Sequence, residues 1–208
     1  YLKKGQPFSN ENINNELDRL VTLFRSEGYF NFTKEKIFAE IDTIDQSLMQ
    51  LNLDPLAQIN QVTNAAMMKN ENPSWKVSIQ LRNTSPSVVK QYHVGKQHFY
   101  SDLKLTDNPD SLLITPPPIA EYKNGIVHAY RKRNYKSNLF EQQTFIKKGD
   151  LYNENLYFQT LNNFSGLGAW QQIDGRTTIK QDSVYLHYFL LPALRRSYSF
   201  DVEGSRNT

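Results

Sequence analysis

The chain has 208 residues, enough for one large domain or two small ones, and 24 basic against 21 acidic residues give a net charge of +3. So even a balance does not imply a nucleic-acid partner, and the absence of cysteine excludes disulfides, thiol catalysis and thiolate zinc sites. Mean hydropathy is low at −0.63, yet 12 Tyr and 12 Phe are more aromatic residues than a disordered chain carries, so a folded, sheet-rich protein is expected.

A helix is predicted from about Asn10 to Glu27, with Ile13, Leu17, Leu20, Val21 and Phe24 on one apolar stripe, Ser9 or Asn10 as cap and Gly28 as left-handed terminator. A strand over Tyr29–Asp42 follows. In residues 44–72, Asp54-Pro55 opens a second, modest helical stripe through Leu56, Ile59, Val62, Ala66 and Met67. Trp75–Leu81 alternates as a half-buried strand does, and Thr84–Ser87 reads as a linker. The second half is expected to run as a strand near Gln91–Ser101, a loop over Asp107–Asn124, a strand over Ile126–Arg131, helices over Ser137–Phe145 and Asn153–Ser165, and strands over Trp170–Lys180 and Val184–Leu191. Ser197–Val202 reads as a further strand. The apolar stretch Val184–Leu194, broken by His187 and Pro192, is too short to cross a bilayer as a helix. No signal peptide is expected; Tyr1-Leu2-Lys3-Lys4-Gly5 reads as the middle of a domain, hence as a fragment of a longer protein.

An ordered pattern occurs twice. Leu2-Lys3-Lys4-Gly5 leads through Phe8 and Ser9 into a helix that ends at Gly28-Tyr29-Phe30; Ile146-Lys147-Lys148-Gly149 leads through Tyr152 and Asn153 into a helix that ends near Gly168-Ala169-Trp170. Each glycine permits a tight turn, and the aromatic before the cap can staple the helix start. A strand pair follows each helix, the first split by the 44–72 insert.

This unit resembles the POTRA (polypeptide-transport-associated) domain, and Ile146-Lys147-Lys148-Gly149-Asp150-Leu151-Tyr152 with Leu167-Gly168 resembles the last such domain before the barrel in the BamA/TamA superfamily, of the Bacteroidota type. Leu190-Leu191-Pro192 and Ser197–Gly204 resemble the exit into a first barrel strand. The resemblance implies an α+β fold of tandem modules, β-α-α-β-β, with helices on one face of small three-stranded mixed sheets. One module would take residues 1–85, without its opening strand and first helix, and the last would take 86–204. It further implies a non-enzymatic docking part on the periplasmic side of the bacterial outer membrane, anchored by a C-terminal barrel. Partners would be unfolded outer-membrane proteins, accessory assembly subunits and the protein's own barrel. Clients would be received by β-augmentation, in which an extended chain pairs with an open sheet edge. Secretion of one dedicated substrate and glycan binding by a periplasmic or surface scaffold are the alternatives.

Edge residues expected to bind are Asn31, Phe32 and Thr33 in the first module and Gln171, Ile173, Thr177, Thr178 and Ile179 in the second. Arg195 and Arg196 are expected near the membrane, where lipid phosphates attract cations. No catalytic, cofactor or metal site is expected: His93, His98, His128 and His187 read as strand histidines, no Ser-His-Asp spacing stands out, and Gly166-Leu167-Gly168 ends a helix instead of opening one. The basic run Arg131-Lys132-Arg133 with Lys136 reads first as a solvated face, with lipid head groups or a partner second and nucleic acid stacked on Tyr130 and Tyr135 third. Glu154–Gln159 spells a tag-removal sequence of the tobacco etch virus protease, but it falls in helical register and is read as native.

Overall fold

A computed structural model describes residues 3, 5, 9–42, 59, 60, 63, 76–82 and 85–193. The chain divides into two units, one of residues 1–24 and 31–90, the other of residues 25–30 and 91–208.

In the first unit, Ser9 Oγ accepts the Glu11 N–H and caps helix α1 (Asn10–Ser26). Ile13 and Leu17 are buried on its inner stripe, and Phe24 packs on Phe32 with ring centroids 4.5 Å apart. Lys34 on the following turn bridges to Asp18 at 2.8 Å. The strand expected over 29–42 is shorter than its composition suggested. Lys34–Lys36 form a 3-10 turn, and the strand is β1 (Ile37–Asp42) alone. The reason is local: Gly28 is left-handed, the Phe30 N–H bonds back to the Gly28 carbonyl, and the backbone is turning where a strand would have to be straight. Strand β1 pairs antiparallel with β2 (Lys76–Leu81), Ile37 opposite Leu81. Of the 44–72 segment, Ile59, Asn60 and Thr63 are helical; its other residues lie outside the described ones, as does the strand expected over 197–202.

The second unit is built on five strands, β3 (His93–Tyr100), β4 (Ile119–Lys123), β5 (Ile126–Tyr130), β6 (Trp170–Lys180) and β7 (Ser183–Pro192), in the order β4-β5-β3-β7-β6. Strand β3 lies parallel to β5 and β7, and the β4-β5 and β6-β7 pairs are antiparallel. The central strands are buried over most of both faces, with Gln97, His128 and His187 among their buried residues. Helices α3 (Ser137–Gln143) and α4 (Glu154–Gly166) cover one face through Phe140, Tyr157 and Phe164, which meet Phe99, Trp170, Leu186 and Tyr188. Asn153 caps α4 by accepting the Leu156 N–H at 3.0 Å. On the other face, α2 (Pro109–Ile114) sets Leu112 against Tyr100 and Phe189.

The fold is α+β. The β-α-α-β-β order is traced by β3-α3-α4-β6-β7, with α2, β4 and β5 inserted after β3, and the three-stranded mixed sheet is β3-β7-β6, widened by the β4-β5 hairpin. The loop expected over 107–124 therefore contains a helix and a strand. Both halves of the repeated pattern have the backbone it requires: Gly5 and Gly149 are left-handed, and so are Gly28 and Gly168 after the helices. Segment 25–30 belongs to the second unit. Phe30 meets Tyr152 edge-on at 4.9 Å, and Arg25 bridges to Glu154 at 2.8 Å, where burial pushes the Glu154 carboxyl up against the pull of Arg25.

Candidate binding edge

Strand β6 ends the sheet, and among the described residues only β7 pairs with it. Two bonds fix which of its backbone groups are free. The His93 N–H donates to the Asp182 carbonyl and the Leu103 N–H to the Leu190 carbonyl, so even-numbered residues of the β7 hairpin arm turn toward β3. Bonding direction alternates along a strand, so the odd-numbered residues of β7 turn toward β6. Their partners are Lys180, Thr178, Arg176, Asp174 and Gln172. Ile173, Gly175, Thr177 and Ile179 are left with N–H and C=O groups aimed off the sheet.

This sorts the residues expected from sequence. Ile173, Thr177 and Ile179 present open backbone groups. Thr178 does not: its N–H and C=O belong to the ladder opposite Tyr185, and its hydroxyl lies 3.0 Å from His187 Nε2. Gln171 is the extra residue of a bulge between the Trp170–Pro192 and Gln172–Leu191 pairs, outside the regular edge. Gly175 has a packing role. A Cβ there would collide with the Tyr157 hydroxyl and lie 3.0 Å from Leu161 Cδ1, so its absence lets α4 sit on the edge strand.

The first-unit candidates lie before β1, on no strand. Phe32 is core, 2% exposed, and Asn31 donates its amide to the Ser87 carbonyl at 3.4 Å. Thr33 is exposed ahead of the 3-10 turn. A buried ring cannot meet a client, and although Thr33 is extended the 3-10 turn follows it at once, so 31–33 form no strand edge. Arg195 and Arg196 lie outside the described residues.

The histidines fall into three settings. His93 is exposed at the start of β3. His98 and His187, directly opposite one another on β3 and β7, stack at 4.8 Å on the face away from α3 and α4. Burial first, then neighbouring charge, lowers each to about 4: Lys96 and Lys180 act on His98, His98 and Lys180 on His187. His128 is fully buried in a hydrogen-bonded chain absent from the sequence reading. Ser137 donates to Glu121, which leaves its oxygen to accept from His128 Nδ1 at 3.1 Å; His128 Nε2 then accepts from Ser101 Oγ at 2.7 Å. The Ser137 and Tyr130 hydroxyls hold the Glu121 carboxyl below the usual range. The resemblance to a nucleophilic relay stops at access, because Ser101 is 0% exposed. These bonds tie the end of β3 and the middles of β4 and β5 to α3. Their signal in sequence is Ser137, the first residue of α3, which spends its hydroxyl on Glu121 instead of on a helix N–H.

Arg131 and Arg133 of the basic run pair with Asp107 at 2.7 Å and Glu121 at 3.2 Å, in keeping with a solvated face. Among the described residues no group of three or more His, Asp or Glu could hold a metal ion, and no helix is long and apolar enough to cross a membrane.

No family model matches the chain, and no curated protein matches it. Among solved structures it is similar to BamA from Haemophilus ducreyi lacking POTRA domains 1–3, at 10% identity and TM-score 0.48, over 93% of this chain and 25% of that one. It is also similar to Haemophilus influenzae BamA POTRA3-5, at 11% identity and TM-score 0.26, over 90% and 83% of the two chains. A third similar structure is the N-terminal domain of Omp85 from Thermosynechococcus elongatus, at 9% identity and TM-score 0.26, over 92% and 88%. The chain thus spans a quarter of the first of these.

Proposed function

We propose that this chain is a periplasmic docking part of an outer-membrane protein assembly factor of the BamA/TamA type, and that its second unit receives unfolded, extended barrel segments along β6. The observation that carries the reading is the open edge at Ile173, Gly175, Thr177 and Ile179, four successive sets of backbone groups that no strand among the described residues pairs with, on an 11-residue strand. Main-chain pairing reads little sequence, which suits clients of many sequences. The opposite edge, β4, has only five residues, so the 11-residue β6 offers a client the longer edge. The twice-occurring glycine-helix-glycine pattern and the parallel placement of β7 beside β3 support the POTRA reading. Accessory subunits, the protein's own barrel and lipid head groups near Arg195 and Arg196 complete the expected surroundings.

A pair of adjacent prolines tests this. Thr177→Pro removes an N–H that faces solvent, which an edge strand tolerates; Thr178→Pro removes one that bonds to β7, which it does not. With a labelled, barrel-strand-like peptide of alternating apolar and polar residues, Thr177→Pro is expected to weaken binding by up to about tenfold, the worth of one hydrogen bond, with near-normal thermal unfolding. Thr178→Pro is expected to destabilise the hairpin itself. Unchanged binding by folded Thr177→Pro overturns the edge assignment. Binding of a single peptide out of a varied panel redirects the reading to dedicated secretion.

A further inference from the structure

Among the described residues, the sheet face away from α3 and α4 is only half covered. One cross-sheet row on it, Ala120-Ala129-Tyr100-Phe189-Asp174, lies against the α2 region, and Tyr100, Ala129 and Phe189 are buried there. The next row, Tyr122-Val127-His98-His187-Arg176, runs across all five strands beyond α2. Tyr122 is 58% exposed, and Val127 and His98 are half-buried. Tyr185 continues the floor, its ring pressed on Gly95, where a Cβ would lie 2.8 Å from the ring. Two exposed lysines rise beside this floor: Lys96 Nζ stands over the Tyr122 ring at 5.3 Å and Lys180 Nζ over the Tyr185 ring at 5.2 Å. The nearby arginine is occupied, since Arg176 bonds to Asp174 at 3.1 Å.

We propose that this face is a second binding site, separate from the β6 edge, for an acidic segment of a partner protein, with Lys96 and Lys180 taking carboxylates and Val127, His98 and Tyr185 forming the floor for an apolar side chain between them. Charge complementarity carries the choice. The two lysines leave the open part of the face positive, and both also disfavour the charged form of His98. Lys96 stands on β3 and Lys180 on β6, but their ammonium groups lean over rings on β4 and β7, about three strand spacings or roughly 14 Å apart, which an extended peptide bridges with acidic side chains four residues apart. Two other occupants fit less well. Anionic membranes select clusters of about four to eight cations, and this face offers two. Single-stranded nucleic acid needs free aromatic faces for stacking, and lysines already stand over both tyrosines.

The test is an NMR titration of the full chain with a short peptide of alternating Glu and Leu, with the same peptide carrying Gln for Glu as control. Shifts are expected at Lys96, Val127, His98, Tyr185 and Lys180 and not at Gly175 or Thr177, so the outcome is independent of whether β6 receives clients. A bound carboxylate also stabilises the imidazolium, so the His98 titration should move upward; the groups around it are Lys96, Lys180, His187, Tyr100 and Tyr185, none of them acidic. K96E/K180E, shown folded by its near-ultraviolet circular dichroism, should bind roughly tenfold more weakly, and raising salt from about 0.05 to 0.5 M should weaken the wild type likewise. Shifts located elsewhere, equal binding of the Gln peptide, undiminished binding by folded K96E/K180E, or binding to anionic vesicles but not to the peptide would each overturn the proposal.

Discussion

Helix α4 carries a built-in probe of its own stability, because Glu154–Gln159 matches a protease recognition sequence and proteases bind substrates extended. Cleavage after Gln159 therefore requires the helix to open. Opening exposes Tyr157 and Phe164, both buried, along with part of Leu161. At about 1.5–3 kcal/mol for each fully buried side chain, the two aromatics alone set an opening cost of roughly 3–6 kcal/mol, or an open fraction of about one in 10² to 10⁴. Phe164 is 0% exposed among Phe99, Phe140, Trp170 and Tyr188, so Phe164→Ala should cost about 3–5 kcal/mol and raise the open fraction at least a hundredfold. Cleavage follows the open population when opening is fast relative to cutting. The assay is the cleavage rate by tobacco etch virus protease of the folded wild type, Phe164→Ala and the urea-unfolded, diluted chain. Thr160 follows the cut, and the unfolded sample establishes that this site can be cut at all. Native cleavage as fast as in the unfolded sample would refute the packed helix, and with it the β-α-α-β-β order at its most informative point.

Two further outcomes follow from the same packing. His98, His128 and His187 are each held near 4, below the unfolded value of about 6.5, so folding is fully favoured above pH 6.5 and loses stability as pH falls from 6.5 toward 4. Urea midpoints that stay flat between pH 7 and pH 4.5 would contradict their burial as neutral rings. Gly175→Val places branched carbons where the Tyr157 hydroxyl and Leu161 now sit, so it should destabilise by about 1–3 kcal/mol by urea unfolding, whereas Gly166→Ala, with open space around the site, should not destabilise at all.

Much of the second unit was readable because its signals are local. Asn153 before an apolar stripe announces α4, and the dense run Val184–Leu191 is a central strand buried on both faces. The missed α2 and β4 also had signals. Asn108-Pro109 is a cap followed by proline at the first helical turn, and Asn124-Gly125, both left-handed, is a two-residue hairpin turn that requires a strand on each side. The three prolines at 116–118 masked both by suggesting loop throughout. The over-long strand at 29–36 arose because Phe30 and Phe32 read as β-formers, while their placement is set by core contacts on a turning backbone. The site was legible only to the level of a strand. That β6 would lie at an edge came from the resemblance, but which of its N–H groups face outward depends on the register of the β6-β7 hairpin about its turn at Gln181-Asp182. Hence Thr177 and Thr178, equivalent in sequence, have opposite roles.

The most direct measurement is amide hydrogen exchange along β6 with and without an unfolded outer-membrane barrel segment. If a client adds as a strand, the N–H groups of Ile173, Gly175, Thr177 and Ile179 become protected on binding, while those of Asp174, Arg176 and Thr178, already bonded to β7, change little. Protection that appears elsewhere, or none at these four positions when the client is bound, would contradict the account.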